Sequence, residues 1–291
     1  HGIGDEESEW VRTTENFKKD LETLFNNGYR LLSLNDYINN DINIDAGFTP
    51  VILTFDDGLQ NQFNYINDNG INSIDPNCAV GIIEEFYKNH PDFGRTAVFY
   101  VYYPVPFRQK DFIYDKYKFL IENGYEIGNH GYNHENLGII SIDKVQESLS
   151  KNAQKTNSIL NGYKVQSLAL PYGAAPKGEN YKYVVSGEYN GFSYYNKAVL
   201  KVGSNPAYSP NHKKFDFTKI PRVRASEILV KGTGLYDYIE YFKKNPDKRY
   251  ISDGNKDTIT IPECELVNIN MSSISNKELI TYNQKDNKDL D

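Results

Sequence analysis

The chain has 291 residues, 39% of them apolar, with 39 acidic against 32 basic side chains and a net charge of −7. That length and apolar content support a folded core in one large or two small domains and exclude a disordered chain. The acidic balance, with no basic cluster, argues against nucleic acid or an anionic membrane as partner, and no apolar run reaches the length that spans a bilayer.

Tyrosine (24) and phenylalanine (15) far outnumber tryptophan (1), a composition that suits sugar or peptide surfaces as well as core packing. Cys78 and Cys264 are too few and too distant for a disulfide framework or a cysteine-based metal site; two buried thiols and a single bridge both remain open. The sequence begins at His1 rather than Met, so the expectation is a fragment whose leader or anchor lies upstream.

In chain order, "TENFKKDLETLFNN" (residues 14–27) spaces Phe17, Leu21, Leu24 and Phe25 on one helical face, with Gly28 as its C-cap. A short strand, "YRLLSL", and a small helix over 36–39 lead to the strand "VILTF", which runs into Asp56, Asp57 and Gly58. A helix over 80–89 precedes the strand "TAVFYVYY", and a helix over 116–123 precedes "YEIGNH". A long amphipathic segment over 142–160 precedes "YKVQSLALPYG", and further strands are expected at "GFSYY" and "AVLKVGS". After Arg224 the pattern weakens to one helix over 235–244, a strand at "TITIP" and a polar tail rich in Asn and Lys. Helices alternating with short strands imply parallel pairing with crossover helices, and at least five such units before residue 200 favour a closed or nearly closed barrel over an open sheet.

A strand that surfaces into two adjacent acids reads equally well as a solvated Asp-Gly turn. In a barrel, however, side chains at the C-terminal strand ends converge on one face, and three such ends carry Asp56 with Asp57, His130 with His134, and Pro171 with Tyr172. In "HGYNH" the two histidines are four apart, so one helical turn puts both rings on the same side, close enough to share a metal. With a carboxylate from another strand end they make a ligand set that leaves positions open for water and substrate. Two adjacent aspartates at a sharp turn can be splayed, one to bind metal and its neighbour to hold the water.

Taken in order, "TFDDG", "HGYNH" and "LPYG" resemble the first three motifs of the polysaccharide deacetylases of the NodB homology type, the fourth family of carbohydrate esterases. The likeness extends over residues 15–224, and "HGI" at residues 1–3 is similar to the end of that family's first strand. The resemblance implies an α/β fold, a deformed (β/α) barrel, here over residues 1–224; the weaker pattern after Arg224 reads as a peripheral extension over 225–291, packed on the barrel and ending in a frayed tail. It also implies metal-dependent removal of acetyl groups from a sugar. By motif, Asp56 becomes the general base and Asp57, His130 and His134 the metal ligands, while the Tyr172 main-chain N–H steadies the oxyanion and Pro171 shapes the groove. Such ligands suit zinc, with cobalt or nickel able to replace it. The implied substrate is an N- or O-acetylated cell-wall or extracellular polysaccharide, and the inferred location is extracellular or at the cell surface.

Two departures from the family pattern stand out. The family's third motif carries an Arg two residues before the Pro, tethering the catalytic Asp, but Ala169 stands here; Arg222 or Arg224 in "IPRVRAS" is the substitute, Arg222 being favoured, against a reading of either as a surface arginine. The family's late Leu-x-His, which supplies the general acid, has no counterpart. His212, in the loop "SNPAYSPNHKKFD", and His1 are the candidates, each also readable as an ordinary surface residue, and His90 reads as structural. Residues 73–94 add a helix beyond the minimal unit and are expected along one wall of the groove. These gaps keep two alternatives open: a catalytically impaired carbohydrate-binding protein on the same barrel, or a metal-dependent amidohydrolase acting on a small non-sugar amide.

Overall fold

A computed structural model describes residues 1–274 and 276–283; the end of the expected polar tail lies outside the described residues. Two short parallel strands, β1 (Gly2–Gly4) and β2 (Val11–Thr13), open the chain. The Thr13 hydroxyl accepts the Asn16 N–H at 3.1 Å and so caps α1 (Thr14–Asn26), whose Phe17, Leu21 and Leu24 bury the expected face. β3 (Tyr29–Leu31) stops short because Ser33 turns to cap α2 (Leu34–Ile38). β4 (Thr49–Val51) pairs with β3, and β5 (Thr54–Phe55), two residues on, carries the same run into the next part of the sheet.

A hairpin follows that the sequence reading did not anticipate, β6 (Tyr65–Asp68) and β7 (Ile71–Ile74). Then α3 (Ala79–Asn89) leads to β8 (Val98–Val101), α4 (Ile113–Glu122) to β9 (Glu126–Asn129), and α5 (Ile142–Ile159) to β10 (Ser167–Ala169). A short α6 (Lys182–Val185) and a second hairpin, β11 (Ser186–Tyr189) with β12 (Phe192–Tyr195), precede β13 (Ala198–Leu200). Five strands form one parallel sheet in the order β13-β10-β9-β8-β5. With β3 and β4 at the β5 edge, the sheet curls into the deformed, incompletely closed α/β barrel that the motifs implied. The "GFSYY" strand does not join it. Asn190 and Gly191, with φ of 50° and 79°, turn it back antiparallel on β11, the type I′ geometry that Asn-Gly favours.

The core follows from the alternation of apolar residues. Phe55 and Phe99 stack at 5.0 Å on adjacent strands. Val145, Leu149 and Ala153 of α5 pack on Leu168 and Val199 of the sheet. Beyond β13, a parallel bridge between Leu200 and Ile220 prolongs the sheet and sets Arg222 at a strand end. Further on, α7 (Leu235–Lys244) puts Ile239 into the core beside α1, and the Tyr236 hydroxyl donates to Asp20 Oδ1 at 2.9 Å. Arg249 and Ser252 donate to the main chain at Asn27 and Ile44, so this segment wraps the α1 and β4 side of the barrel. β14 (Thr258–Pro262), the expected "TITIP" strand, pairs parallel with β15 (Glu278–Tyr282). Cys78 is buried, Cys264 is exposed, and among the described residues no disulfide joins them.

Candidate active site

The strand β5 delivers Asp56 and Asp57 to the barrel mouth, and the chain then turns sharply: Asp57 has φ of 79° and Gly58 of 55°. A Cβ at Gly58 would sit 3.1 Å from the Val101 side chain, so both the turn and the close approach call for glycine. Asp56 is buried and meets Arg222 through two hydrogen bonds, Nη1 to Oδ1 at 2.8 Å and Nη2 to Oδ2 at 2.7 Å. Arg222 is aimed by its Nε, which donates to the Lys201 carbonyl at 2.9 Å. Burial alone would raise the Asp56 carboxyl; the charge and hydrogen bonds of Arg222 outweigh it and hold the group well below the usual carboxylate range. Of the two arginines considered, the structure brings Arg222 to Asp56. Arg224 pairs with Glu9 instead and lies 5.0 Å from the Trp10 ring.

His130 follows β9 and is buried. Its Nδ1 lies 2.8 Å from the Ala169 carbonyl, which can only accept, so Nδ1 carries the proton and Nε2 of the neutral ring is a bare lone pair. That Nε2 is buried, has no hydrogen-bond partner, and faces Asp57 Oδ1 at 3.4 Å. His134, with φ of 58°, puts its own Nε2 3.3 Å from the same oxygen. Two nitrogens crowded against one carboxylate oxygen repel unless a cation or proton stands between them. A tetrahedral cation with bonds of roughly 2.0–2.1 Å sets its ligand atoms about 3.3 Å apart. Both nitrogen-to-oxygen separations match this, and all three ligand atoms lie within 4.8 Å of one another. The donor set therefore fits a divalent metal of the nitrogen- and oxygen-binding kind.

Helix α5 holds the histidine loop from below. Asn152 Nδ2 donates to the carbonyls of Val101 and Gly131, both at 2.7 Å, tying the ends of β8 and β9 together. Ser148 Oγ accepts the Tyr132 N–H at 2.8 Å and donates to Glu135 at 2.6 Å. A face read in sequence as plainly amphipathic thus carries a polar stripe that positions His130 and His134.

The other oxygen of Asp57 is taken by His1, whose Nδ1 donates to Oδ2 at 2.7 Å while its ring packs edge-on against Trp10 at 4.8 Å. Burial would lower the His1 pKa, but the hydrogen bond to Asp57 and the charges of Asp56 and Asp57 raise it above the ordinary imidazole value. Gln62, fully buried, donates from Nε2 to the His1 carbonyl at 2.7 Å and also to the Asp56 carbonyl. Two acceptors fix the orientation of the amide, and one side chain ties the His1 backbone to the aspartate pair. Nothing in the sequence pointed to Gln62, an isolated amide whose partners come from distant chain.

At the third motif Pro171 is buried beside Gly131, and Tyr172, with φ of 58°, turns an exposed ring to 4.6 Å from His134. Ala169, standing where the family carries an arginine, contributes the carbonyl that orients His130. Two expected elements need correction or completion. His212 is not brought to this cluster: its ring stacks on Tyr208 at 4.3 Å, its Nδ1 accepts the Lys214 N–H at 3.0 Å, and its backbone bridges to Ile269. The loop is drawn there because Tyr37 donates to the Tyr208 carbonyl and Asn40 to Asn211 at 2.8 Å. His90 lies between the rings of Phe25 and Phe86, at 4.5 and 4.6 Å, as a packing residue. The insertion places Asp75 and Asn77 with Leu59, Asn61 and Asn64 around a cavity of about 420 Å³ next to the Asp57 turn.

Residues 44–185 match a family model described as polysaccharide deacetylase. No curated protein matches the chain in sequence. Among solved structures, the chain is similar to the Streptococcus pyogenes deacetylase PplD in complex with acetate, 15% identical with a TM-score of 0.59 over 82% of this chain and 94% of that one. It is also similar to a de-N-acetylase from Aggregatibacter actinomycetemcomitans, 13% identical with a TM-score of 0.49 over 76% and 91% of the two chains. A third is IcaB from Ammonifex degensii, 15% identical with a TM-score of 0.48 over 75% and 86%. At 15% identity the likeness to the first of these is one of fold alone.

Proposed function

We propose, from the match of residues 44–185 to the polysaccharide deacetylase family, that the chain is a metal-dependent hydrolase removing acetyl groups from N-acetylated polysaccharide. The observation that carries the metal part is the orphaned Nε2 of His130, held as a lone pair against Asp57 Oδ1. Asp57, His130 and His134 hold the ion, zinc by preference, with cobalt or nickel as substitutes. When bound, the ion polarises the acetyl carbonyl and acidifies the attacking water.

The remaining steps fall to named groups of the chain. Asp56, kept ionised by Arg222, takes the proton of the attacking water; it is a weak base, so its contribution is one of position and permanent charge. The Tyr172 main-chain N–H and Pro171 shape the place where the acyl oxygen becomes negative. His1, held by its hydrogen bond to Asp57 Oδ2, gives a proton to the departing amine. It takes the role for which His212 was considered, and with an acid in reach the site has no need to be restricted to O-acetyl esters. Residues 1–224 are then the catalytic unit and 225–291 its extension, and the enzyme works outside the cytoplasm, at the cell surface or beyond, where acetylated wall and extracellular polysaccharides lie.

The test is acetate release by zinc-loaded protein from an N-acetylglucosamine hexamer and, separately, from a small N-acetylated amine. Release from the hexamer alone supports the proposal. Release only from the small amide supports the amidohydrolase reading, and hexamer binding without release supports the impaired, sugar-binding one.

A further inference from the structure

A cavity of about 520 Å³ lies behind the Pro171–Gly173 turn, with apolar walls from Leu170, Pro176 and Tyr181 and the three lysines Lys177, Lys201 and Lys219 around it. We propose that this cavity receives a carboxylate-bearing sugar residue next to the acetylated one, so that the preferred substrate is an anionic acetylated glycan; the polymer part of this inference rests on the deacetylase reading.

Charge is the first support. In a chain of net charge −7, three ammonium groups gather at one cavity. Lys219 shares Asp216 at 3.4 Å and stands over the Tyr181 ring at 5.3 Å. Among the described residues, the side chains of Lys177 and Lys201 have no ion pair or hydrogen bond, so the local positive charge is not cancelled from within. A concave wall with apolar surface beside such charges focuses their field on whatever enters.

Position is the second support. Leu170 and Gly173 line the cavity, and between them Tyr172 turns its ring to 4.6 Å from His134. Lys201 accepts Arg222 Nε at its main-chain carbonyl, and Arg222 holds Asp56. The cavity therefore shares both its turn and its strand end with the reaction site. A chain whose acetylated residue lies at Asp56 and His134 brings a neighbouring residue past the lysines.

The experiment compares two oligosaccharides of equal length, one of N-acetylglucosamine alone and one alternating N-acetylglucosamine with glucuronate. Equilibrium binding is measured on chelator-treated protein, which turns over neither, at low and high salt. The expected result is affinity for the charged oligosaccharide roughly tenfold above the neutral one, a gap that salt narrows. Lys177→Gln with Lys201→Gln should close most of that gap, since each exposed pair contributes a factor of up to about five, while the same two positions as Arg should retain it. Equal affinity for the two oligosaccharides, or a gap that survives the Gln substitutions, overturns the inference. Inorganic phosphate that displaces both oligosaccharides equally well also overturns it, because the cavity would then hold free ions rather than select a sugar. If the lysine-dependent gap is found but zinc-loaded protein releases no acetate from either oligosaccharide, the deacetylase reading fails and the charge-selective cavity stands. Acetate release without the gap is the reverse outcome.

Discussion

Asp56 and Arg222, 166 residues apart in the chain, meet through two parallel hydrogen bonds of 2.8 and 2.7 Å. The pairing is geometrically demanding, since a guanidinium offers two donors in a fixed fork that matches the two oxygens of one carboxylate. It depends on the parallel bridge of Leu200 with Ile220, which turns a loop residue into a strand-end residue.

Arg222→Met should leave Asp56 as a buried, uncompensated carboxylate. The expected cost is about 3–5 kcal/mol of stability, read as a lowered midpoint in urea, with activity lost. Arg224→Met, which breaks the half-exposed pairing with Glu9 and the contacts with Leu229 and Trp10 but leaves no buried charge, should cost less, about 1 kcal/mol. Equal losses in the two variants would contradict the placement of Arg222 alone at Asp56.

The two aspartates should separate by role. Asp56→Asn is expected to keep bound metal and to lose turnover by about 10²-fold or more. Asp57→Asn should lose metal. Metal content by atomic absorption, measured beside acetate release, checks the division; metal loss in both variants would refute it.

Much of this site was legible in the sequence because it is local: the aspartate pair, the two histidines and the Pro-Tyr turn each lie within five residues, on strands whose apolar runs announce them. The helix α1 was legible for the same reason, its cap and buried face being adjacent residues. Arg222 was reachable only through the arginine missing at Ala169, and Gln62 and Asn152 were not separable from ordinary polar residues, since each acts on chain that only the fold brings near. The hairpin of β6 and β7 did carry a signal, Asn69 and Gly70 with φ of 51° and 86°, but its exposed, polar strands hide the alternation that marks a half-buried one. His212 failed as a candidate because loop position was weighed without the contacts to α2 that hold the loop elsewhere.

His1 gives a pH signature. In the metal-free chain its pKa is raised, and in the loaded enzyme loss of its proton sets the alkaline limb of the rate profile. His1→Gln should remove this limb and slow release from N-acetyl glycan by about 10²-fold or more. In metal-stripped protein the raised pKa means a stabilising contribution that is full below about pH 6.5 and is lost as pH rises through the higher folded value. Urea midpoints of wild type and His1→Gln should therefore converge on the alkaline side; a difference that widens there would contradict the assignment.

Asn152→Leu tests the support beneath the histidines. It leaves the Gly131 carbonyl without its donor, at about 1–3 kcal/mol, while the Val101 carbonyl keeps only the His130 N–H, and it loosens the loop that carries His130 and His134. Zinc affinity should fall by about 10- to 100-fold, as for other groups that orient ligands. Unchanged affinity, measured by competition with a chelating dye, would show that α5 does not set the histidine geometry.

Zinc titration of the chelator-treated protein is the most direct measure of the central claim. Acetate release from the N-acetylglucosamine hexamer should be absent at the start, rise in proportion to zinc added, and level off at one equivalent, with His130→Ala and His134→Ala flat throughout. Release that is undiminished by metal removal, or restored equally in the two histidine variants, would contradict a reaction centred on Asp57, His130 and His134.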